Sequence, residues 1–262
     1  MFKLISTDFD GTLLNDDVKV PKENIDYFNK AKRKGIKIVG VTGRALESAK
    51  NVLDINIFDY LILNNGSNIY DVKNKRIIYE NSIPLKTIKE ITNFMEDKTN
   101  QYIYCTYSNY FVFKNYKDQK LPFIREIKDL NELNLPISKM SIYLKDQTNI
   151  YDDLNLISNY FTSVRSIVMQ DSGKDNKWIV ITPDDLNKLE SLKKLGTILK
   201  ISLEEMVFFG DGLNDLEVIE GVGLGVAMGN ALESVKERAK DITISNNEAG
   251  VAHYIKHLLE KK

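Results

Sequence analysis

The run Leu4-Ile5-Ser6-Thr7-Asp8-Phe9-Asp10-Gly11-Thr12-Leu13-Leu14 constrains this chain more than any other stretch. A short apolar segment stops at two carboxylates one residue apart, and a glycine and a threonine follow. In a strand, alternation sends Asp8 and Asp10 to the same side. An unpaired carboxylate in an apolar core is too costly. The two therefore belong at the end of a buried strand, presented to a metal and a substrate. Gly11 lets the chain turn away sharply. Asp-Gly is also a common surface turn, and this stretch alone leaves the two readings level.

The rest of the chain changes the balance. Pro21 suits the first turn of a helix, with Ile25, Phe28, Ala31 and Ile36 at roughly helical spacing and Gly35 at its end. Ile36 to Val41 is a second apolar strand, stopping at Thr42-Gly43-Arg44, with a helix from about Ala45 to Leu53. Tyr60 to Leu63 is a third, stopping at Asn64-Asn65-Gly66, where Asn65-Gly66 on its own reads as a turn. Continuous apolar strands alternating with helices imply a parallel sheet covered on both faces. In such sheets ligands bind beyond the carboxyl ends of the strands, where Asp8, Thr42 and Asn64 fall. The fold class expected is α/β, a Rossmann-like three-layer core.

The rhythm then breaks. Ile69 to Ile78 reads as a hairpin turned around Asn74, and Pro84 to about Lys98 as a helix. Aromatic-rich strands follow at Tyr102–Tyr107 and Tyr110–Phe113, then a strand at Ser138–Leu144 and a helix at Asn149–Tyr160. Strands at Val164–Met169 and Trp178–Ile181 flank a polar turn over 171–176. Residues 83–185 thus read as an inserted α+β domain, with its aromatics chiefly sheet core. From Asn187 the α/β alternation resumes: a helix to Leu199, a strand at Met206–Phe209, then Gly210-Asp211-Gly212-Leu213-Asn214-Asp215 opening a helix to about Glu220. A strand at Gly223–Met228, a helix at Ala231–Ala239, a short strand at Asp241–Ile244 and a helix at Val251–Leu259 complete it. Residues 1–82 and 186–262 form one discontinuous core domain.

The strand ends carry two aspartates, a Thr-Gly-Arg, and a Gly-Asp-Gly with Asn-Asp, and a lysine, Lys188, stands at a helix start. Carboxylates at a sheet edge suit Mg2+, which takes one or two of them together with phosphate oxygens and water. Threonine and lysine donate well to phosphate, and a free aspartate can attack phosphorus. Asp8-Phe9-Asp10-Gly11-Thr12, Thr42-Gly43-Arg44, Lys188 and Gly210 to Asp215, in that order, resemble the four motifs of the haloacid dehalogenase superfamily of phosphatases. Gly225 to Ala231 and Asn246 to Ala252 resemble its Cof-type branch (subfamily IIB) more narrowly. That branch carries a cap of the C2B type where the insertion lies. The residues flanking Lys188, Asn187 and Leu189, depart from the usual pattern, and Lys193 and Lys194 lie on the same helix; its place in the first turn selects Lys188.

The resemblance implies an aspartyl-phosphate mechanism. Asp8 attacks phosphorus; Asp10 protonates the leaving oxygen and then activates water. Mg2+ is held by the Asp8 side chain, the Asp10 backbone carbonyl and Asp211, with Asp215 a further ligand or an anchor behind it. Thr42 and Lys188 hold phosphoryl oxygens, aided by backbone N–H groups of the Phe9–Gly11 turn. Gly43, Arg44 and Asn214 are substrate-binding candidates, with a surface ion pair and a turn cap as equal alternatives for Arg44 and Asn214. His253 and His257, one helical turn apart, read as a solvated helix face. The cap would close about crossings near Ser82–Leu85 and Thr182–Asp185.

The expected activity is Mg2+-dependent hydrolysis of small phosphorylated metabolites, sugar phosphates first. A phosphomutase of the same superfamily and a non-catalytic phosphometabolite sensor are the alternatives. With 36 basic and 37 acidic residues the charge is balanced, so nucleic acid and membrane surface are not expected partners. No apolar run reaches membrane-spanning length, which excludes an ion-pumping ATPase. The single cysteine, Cys105, cannot form an internal disulfide and reads as a half-buried hydrophobe in a reducing cytoplasm. A monomer or weak homodimer is expected.

Overall fold

A computed structural model describes residues 2–115, 121–170, 176–184 and 186–260. The polar turn expected over 171–176 lies, but for Asn176, outside the described residues, as does Asp185. The chain divides into two compact units: residues 1–44, 49–79 and 187–262 form the first, and 45–48 with 80–186 the second.

In chain order the elements are β1 (Leu4–Thr7), α1 (Lys22–Arg33), β2 (Lys37–Val41), α2 (Leu46–Val52), β3 (Tyr60–Leu63), β4 (Asn68–Asp71) and β5 (Arg76–Glu80). Next come α3 (Leu85–Phe94), β6 (Thr99–Cys105), β7 (Tyr110–Phe113), β8 (Ile124–Ile127), β9 (Lys139–Leu144), α4 (Ile150–Tyr160), β10 (Val164–Gln170) and β11 (Lys177–Pro183). The last are α5 (Lys188–Leu199), β12 (Met206–Gly210), α6 (Leu216–Gly221), β13 (Leu224–Ala227), α7 (Glu233–Lys236), β14 (Asp241–Ile242) and α8 (Gly250–Glu260).

The first unit is built on an eight-stranded sheet ordered β14-β13-β12-β1-β2-β3-β4-β5. From β14 to β3 all pairings are parallel, and β4 turns back antiparallel on β3. β1 is central, in register with Met206–Phe209 on one side and Lys37–Gly40 on the other. Every residue of β1 and β12 is buried, so the sheet is covered on both faces, as continuous apolar strands require. α1 packs with α8, and α5 with α6, which also lies on β12 and β13. The parallel α/β reading therefore holds. The β4–β5 hairpin, expected only as a hairpin, extends this sheet.

The second unit has a six-stranded sheet ordered β10-β11-β9-β6-β7-β8. It is antiparallel except for β7 against β8. The helices α3 and α4 bring Ile88, Ile91, Ile150 and Ile157 to one face, against Tyr102, Tyr104, Ile142 and Ile179. Both tyrosine hydroxyls are satisfied there: Tyr102 donates to the Thr92 carbonyl and Tyr104 shares a bond with the Thr92 hydroxyl, each at 2.9 Å. A buried hydroxyl without a partner would cost about 1–3 kcal/mol, so this pairing lets aromatic strands form a core. Cys105 is buried, and burial pushes its thiol up to about 11, the behaviour of an inert hydrophobe.

Three details differ from the sequence reading. β8 was not expected, because Ile124–Ile127 is a four-residue strand with two exposed charged positions. The helix expected at Ala231–Ala239 shrinks to α7, four residues long. The helix expected from Pro84 ends at Phe94, and β6 begins as early as Thr99.

Candidate active site

The site grows from the end of β1. The Asp8 N–H still donates to the Phe209 carbonyl at 2.9 Å, extending the ladder by one residue. The chain then leaves the sheet through a tight turn over residues 9–13, closed by Leu14 N–H on the Phe9 carbonyl at 2.8 Å. Gly11 adopts φ 74°, and a Cβ there would stand 2.3 Å from Asp211 Oδ2. Only glycine meets both demands, the left-handed backbone and the close approach.

β12, paired with β1, ends at Gly210 and delivers Asp211 and Asp215. Asp215 is fully buried, and its Oδ2 accepts the N–H groups of Asp211 and Gly212, both at 3.1 Å. Its Oδ1 accepts Lys188 Nζ at 2.7 Å, and that nitrogen lies 3.2 Å from Asp8 Oδ1. Lys188 is the first residue of α5, whose N-cap Asn187 accepts the Glu190 N–H at 2.7 Å. An ammonium at a helix N-terminus is disfavoured by the helix dipole, so the two carboxylates, not the helix, account for its place. The start of α5 is anchored by Ser191, whose hydroxyl donates to the Gly66 carbonyl at 2.6 Å. Thus Asn65-Gly66, read as a turn, also supports the lysine helix through the Gly66 carbonyl.

Carboxylate oxygens of Asp8, Asp211 and Asp215 lie within 4.8 Å of one another. Among the described residues this is the one such group of three. Three carboxylates face one ammonium, an excess of two negative charges if all are ionised. Burial, then the charge of Asp215, pushes Asp8 up to about 7, against the pull of Lys188. Burial raises Asp211 as well, although Thr12 opposes it by donating its hydroxyl to Asp211 Oδ1 at 2.6 Å. For Lys188, burial works to lower the pKa, but Asp8 and Asp215 outweigh it and hold the ammonium above its ordinary range. Such a donor set, oxygen-rich and short of two positive charges, fits a hard divalent cation.

Asp10 leaves this cluster. Its carboxylate is paired by Arg44, Nε to Oδ2 at 2.9 Å and a terminal nitrogen to Oδ1 at 2.6 Å. The Arg44 N–H also donates to the Thr42 hydroxyl at 3.2 Å. Thr42, buried past the end of β2, donates its N–H to the Ile62 carbonyl at 2.9 Å. Gly43 lies against the Asn65 carboxamide, 2.9 Å from where a Cβ would stand. Asn214 is exposed, its Oδ1 beside Gly212. His253 and His257 are exposed, with ring centroids 4.8 Å apart, and belong to no metal-type group of three. Thr12 and Asn230 had no role in the sequence reading. Asn230 donates to the Gly11 carbonyl at 2.7 Å. Thr12 lies within Asp8–Thr12 and Asn230 within Gly225–Ala231, but nothing in a linear sequence says that those two segments touch.

The raised Asp8 gives a stability prediction. A carboxyl raised above its unfolded value of 3.8 leaves stability intact below that value and withdraws it as pH climbs through about 7. At 1.36 kcal/mol per unit the ceiling is roughly 4 kcal/mol. Asp211 shifts the same way, and the Lys188 contribution is constant below pH 10. With chelator present, melting should occur at a higher temperature at pH 5.5 than at pH 8.0, and Mg2+ should raise it at pH 8.0. A chelated melting temperature independent of pH would contradict the buried-carboxylate electrostatics.

Residues 5–255 match the family model described as haloacid dehalogenase-like hydrolase. Phosphatase YwpJ of Bacillus subtilis is 29% identical, covering 98% of this chain and 100% of that protein. The 5-amino-6-(5-phospho-D-ribitylamino)uracil phosphatase YcsE of Bacillus subtilis is 31% identical over 97% and 95%. A haloacid dehalogenase-like hydrolase from Bacteroides thetaiotaomicron superposes with a TM-score of 0.81 at 27% identity, covering 98% of this chain and 100% of that one. No described helix is long and apolar enough to cross a membrane.

Proposed function

The chain belongs to the haloacid dehalogenase-like hydrolase family, and on that premise we propose that it is a Mg2+-dependent phosphatase of small phosphorylated metabolites, sugar phosphates first. The observation that carries this reading is the group of Asp8 and Asp215, both buried, and half-buried Asp211 around Lys188 at the ends of adjacent strands. The relative that acts on a phospho-ribityl compound supports a phosphorylated sugar-like chain as substrate.

Asp8 attacks phosphorus through a carboxylate oxygen, forming an acyl-phosphate as the P–O bond to the leaving group breaks. Asp10, as the acid, gives that leaving oxygen its proton. Water then attacks phosphorus, its proton passes to the Asp10 carboxylate, and the Asp8–phosphate bond breaks to return both groups to their starting forms. The sum is ester plus water to alcohol plus phosphate. Asp10 sits at the exposed edge of the turn, with Arg44 fixing its carboxylate, where a leaving group and water can both reach it. The Asp8 and Asp211 side chains with the Asp10 carbonyl would hold Mg2+, and Asp215, saturated by three donors, would orient Lys188 and the 211–212 backbone. When bound, the cation offsets the repulsion between an anionic nucleophile and an anionic phosphate. Lys188 and Thr42 take phosphoryl oxygens. Residues 83–185 would serve as the cap that keeps bulk water out, and the protein would act in the cytoplasm as a monomer or weak dimer.

The test is phosphate release from a panel of phosphorylated sugars, nucleotides and cofactors, with Mg2+ and with chelator. Release that needs metal and ranks sugar phosphates highest by kcat/KM is expected. Release undiminished by chelator would remove the metal from the reading. No release from any compound, with metal bound and the fold intact, would overturn the phosphatase, and dependence on a bisphosphorylated activator would indicate a mutase.

A further inference from the structure

Three asparagines converge on the loop that follows Asp10. Asn230 Nδ2 donates to the Gly11 carbonyl at 2.7 Å, Asn24 Nδ2 to the Leu13 carbonyl at 3.4 Å, and Asn246 Nδ2 to the Leu14 carbonyl at 2.9 Å. Two of these carboxamides also accept from backbone: Asn230 Oδ1 from the Asn246 N–H at 3.0 Å, and Asn24 Oδ1 from the Ala252 N–H at 2.8 Å. A carboxamide side chain can donate to a carbonyl through its nitrogen and accept from an N–H through its oxygen at the same time. Asn24 and Asn246 are buried and Asn230 is exposed.

The Gly11 carbonyl and the Thr12 N–H share one rigid peptide plane. Holding the Gly11 oxygen therefore fixes where Thr12 starts. Thr12 is fully buried, and its hydroxyl donates to Asp211 Oδ1 at 2.6 Å. Asp211 is tied to the same segment from its own backbone, since the Leu232 N–H donates to the Asp211 carbonyl at 3.4 Å. Side chain and main chain of Asp211 are both referred to the loop that carries Asn230.

We infer that Asn230 is a positioning residue for the Asp211 limb of the cation site, acting through the Gly11–Thr12 peptide and the Thr12 hydroxyl. Asn246 holds Asn230 by its N–H. Groups behind a metal ligand set its orientation, and their loss costs affinity even though they never touch the ion. This rests on the proposed cation site but not on any substrate.

The test compares Asn230→Ala and Asn230→Leu with wild type and with Asn247→Ala, which removes contacts to Asp16 on the outer side of the loop. Mn2+ binding to the full chain is read by electron paramagnetic resonance without substrate, beside melting temperature and, on any active compound, kcat and KM. The Kd for Mn2+ should rise about tenfold in both Asn230 variants, and kcat should fall more than KM changes. Asn247→Ala should bind Mn2+ as wild type does. Melting temperatures should stay near wild type, because Asn230 is exposed. Wild-type Mn2+ affinity in either Asn230 variant overturns the inference. If the alanine variant fails to fold, the neutral leucine variant, close to asparagine in size and without a donor, decides by the same reading. A wild-type chain that binds Mn2+ but turns over no phosphate ester counts against the phosphatase alone; one that binds no Mn2+ overturns both.

Discussion

Asp8→Asn should abolish phosphate release, by roughly 10⁴-fold or more, while leaving a folded chain that melts higher than wild type at pH 8.0 without metal. The loss follows from chemistry: a carboxamide of the same shape has no anionic oxygen to offer phosphorus, and no other carboxylate of the site can take its place. Asp215 is saturated by Lys188 and two backbone N–H groups, and Asp10 is turned out to Arg44. The gain in stability follows from electrostatics. The wild-type carboxyl is buried among like charges and pushed up to about 7, so at pH 8.0 the fold carries an ionised group that it would rather hold neutral. Asparagine removes that penalty and leaves Lys188 to Asp215 alone. At pH 5.5, where Asp8 is mostly protonated, the difference should nearly vanish. The two readouts, phosphate release and chelated melting at two pH values, separate a nucleophile from a merely structural carboxylate. A variant retaining a tenth or more of wild-type release would rule out Asp8 as the attacking group, whatever its effect on melting.

The ends of the apolar strands were the legible part of this molecule. β3, β12 and β13 are continuous apolar runs, β2 is apolar after Lys37, and β1 opens on Leu4-Ile5 before Ser6 and Thr7; all are buried along most of their length, and such strands end where polar side chains can reach solvent or a ligand. The sequence alone therefore places Asp8, Thr42 and Asp211 at one edge. What distance in sequence hides is pairing. Thr12 and Asp211 are 199 residues apart, Asn230 and Gly11 219, and no local pattern states which loop closes on which. Arg44 shows the same limit in another way. A cation after a Thr-Gly turn could face phosphate, solvent or a carboxylate with equal sense, and the structure gives it to Asp10. β8 escaped notice for a different reason. Ile124-Arg125-Glu126-Ile127 is short, half charged and held by parallel pairing to β7, so tertiary context overrides a weak local preference.

Lys188→Met should lower kcat by about 10³-fold while binding Mn2+ at least as tightly as wild type. These two effects in opposite directions identify what the ammonium does. It is buried to within 3% of full enclosure, 2.7 Å from Asp215 and 3.2 Å from Asp8. Removing it leaves three carboxylates with no positive partner, so the site should draw a divalent cation more strongly and should fold poorly without one. Breaking a buried ion pair by deleting one partner costs about 3–5 kcal/mol, and part of this is recovered as Asp8 takes up a proton. The chelated variant should therefore be much less stable than wild type at pH 8.0, less so at pH 5.5, and largely restored by Mg2+. Catalysis should not be restored, because a cation held by Asp8 and Asp211 would not supply the N–H donors that Lys188 would offer to phosphoryl oxygens, and donors aimed at developing charge contribute in the transition state. Lys188→Arg should not substitute. The planar guanidinium is larger than the point charge it replaces, and only 3% of Lys188 is exposed. A Lys188→Met enzyme with kcat within tenfold of wild type would show that the lysine only neutralises the cluster, and a weakened Mn2+ affinity would show that it organises the carboxylates themselves. This second outcome is the one expected for Asn230→Ala, so the two variants together divide the site into a part that orders the metal ligands and a part that acts on phosphate.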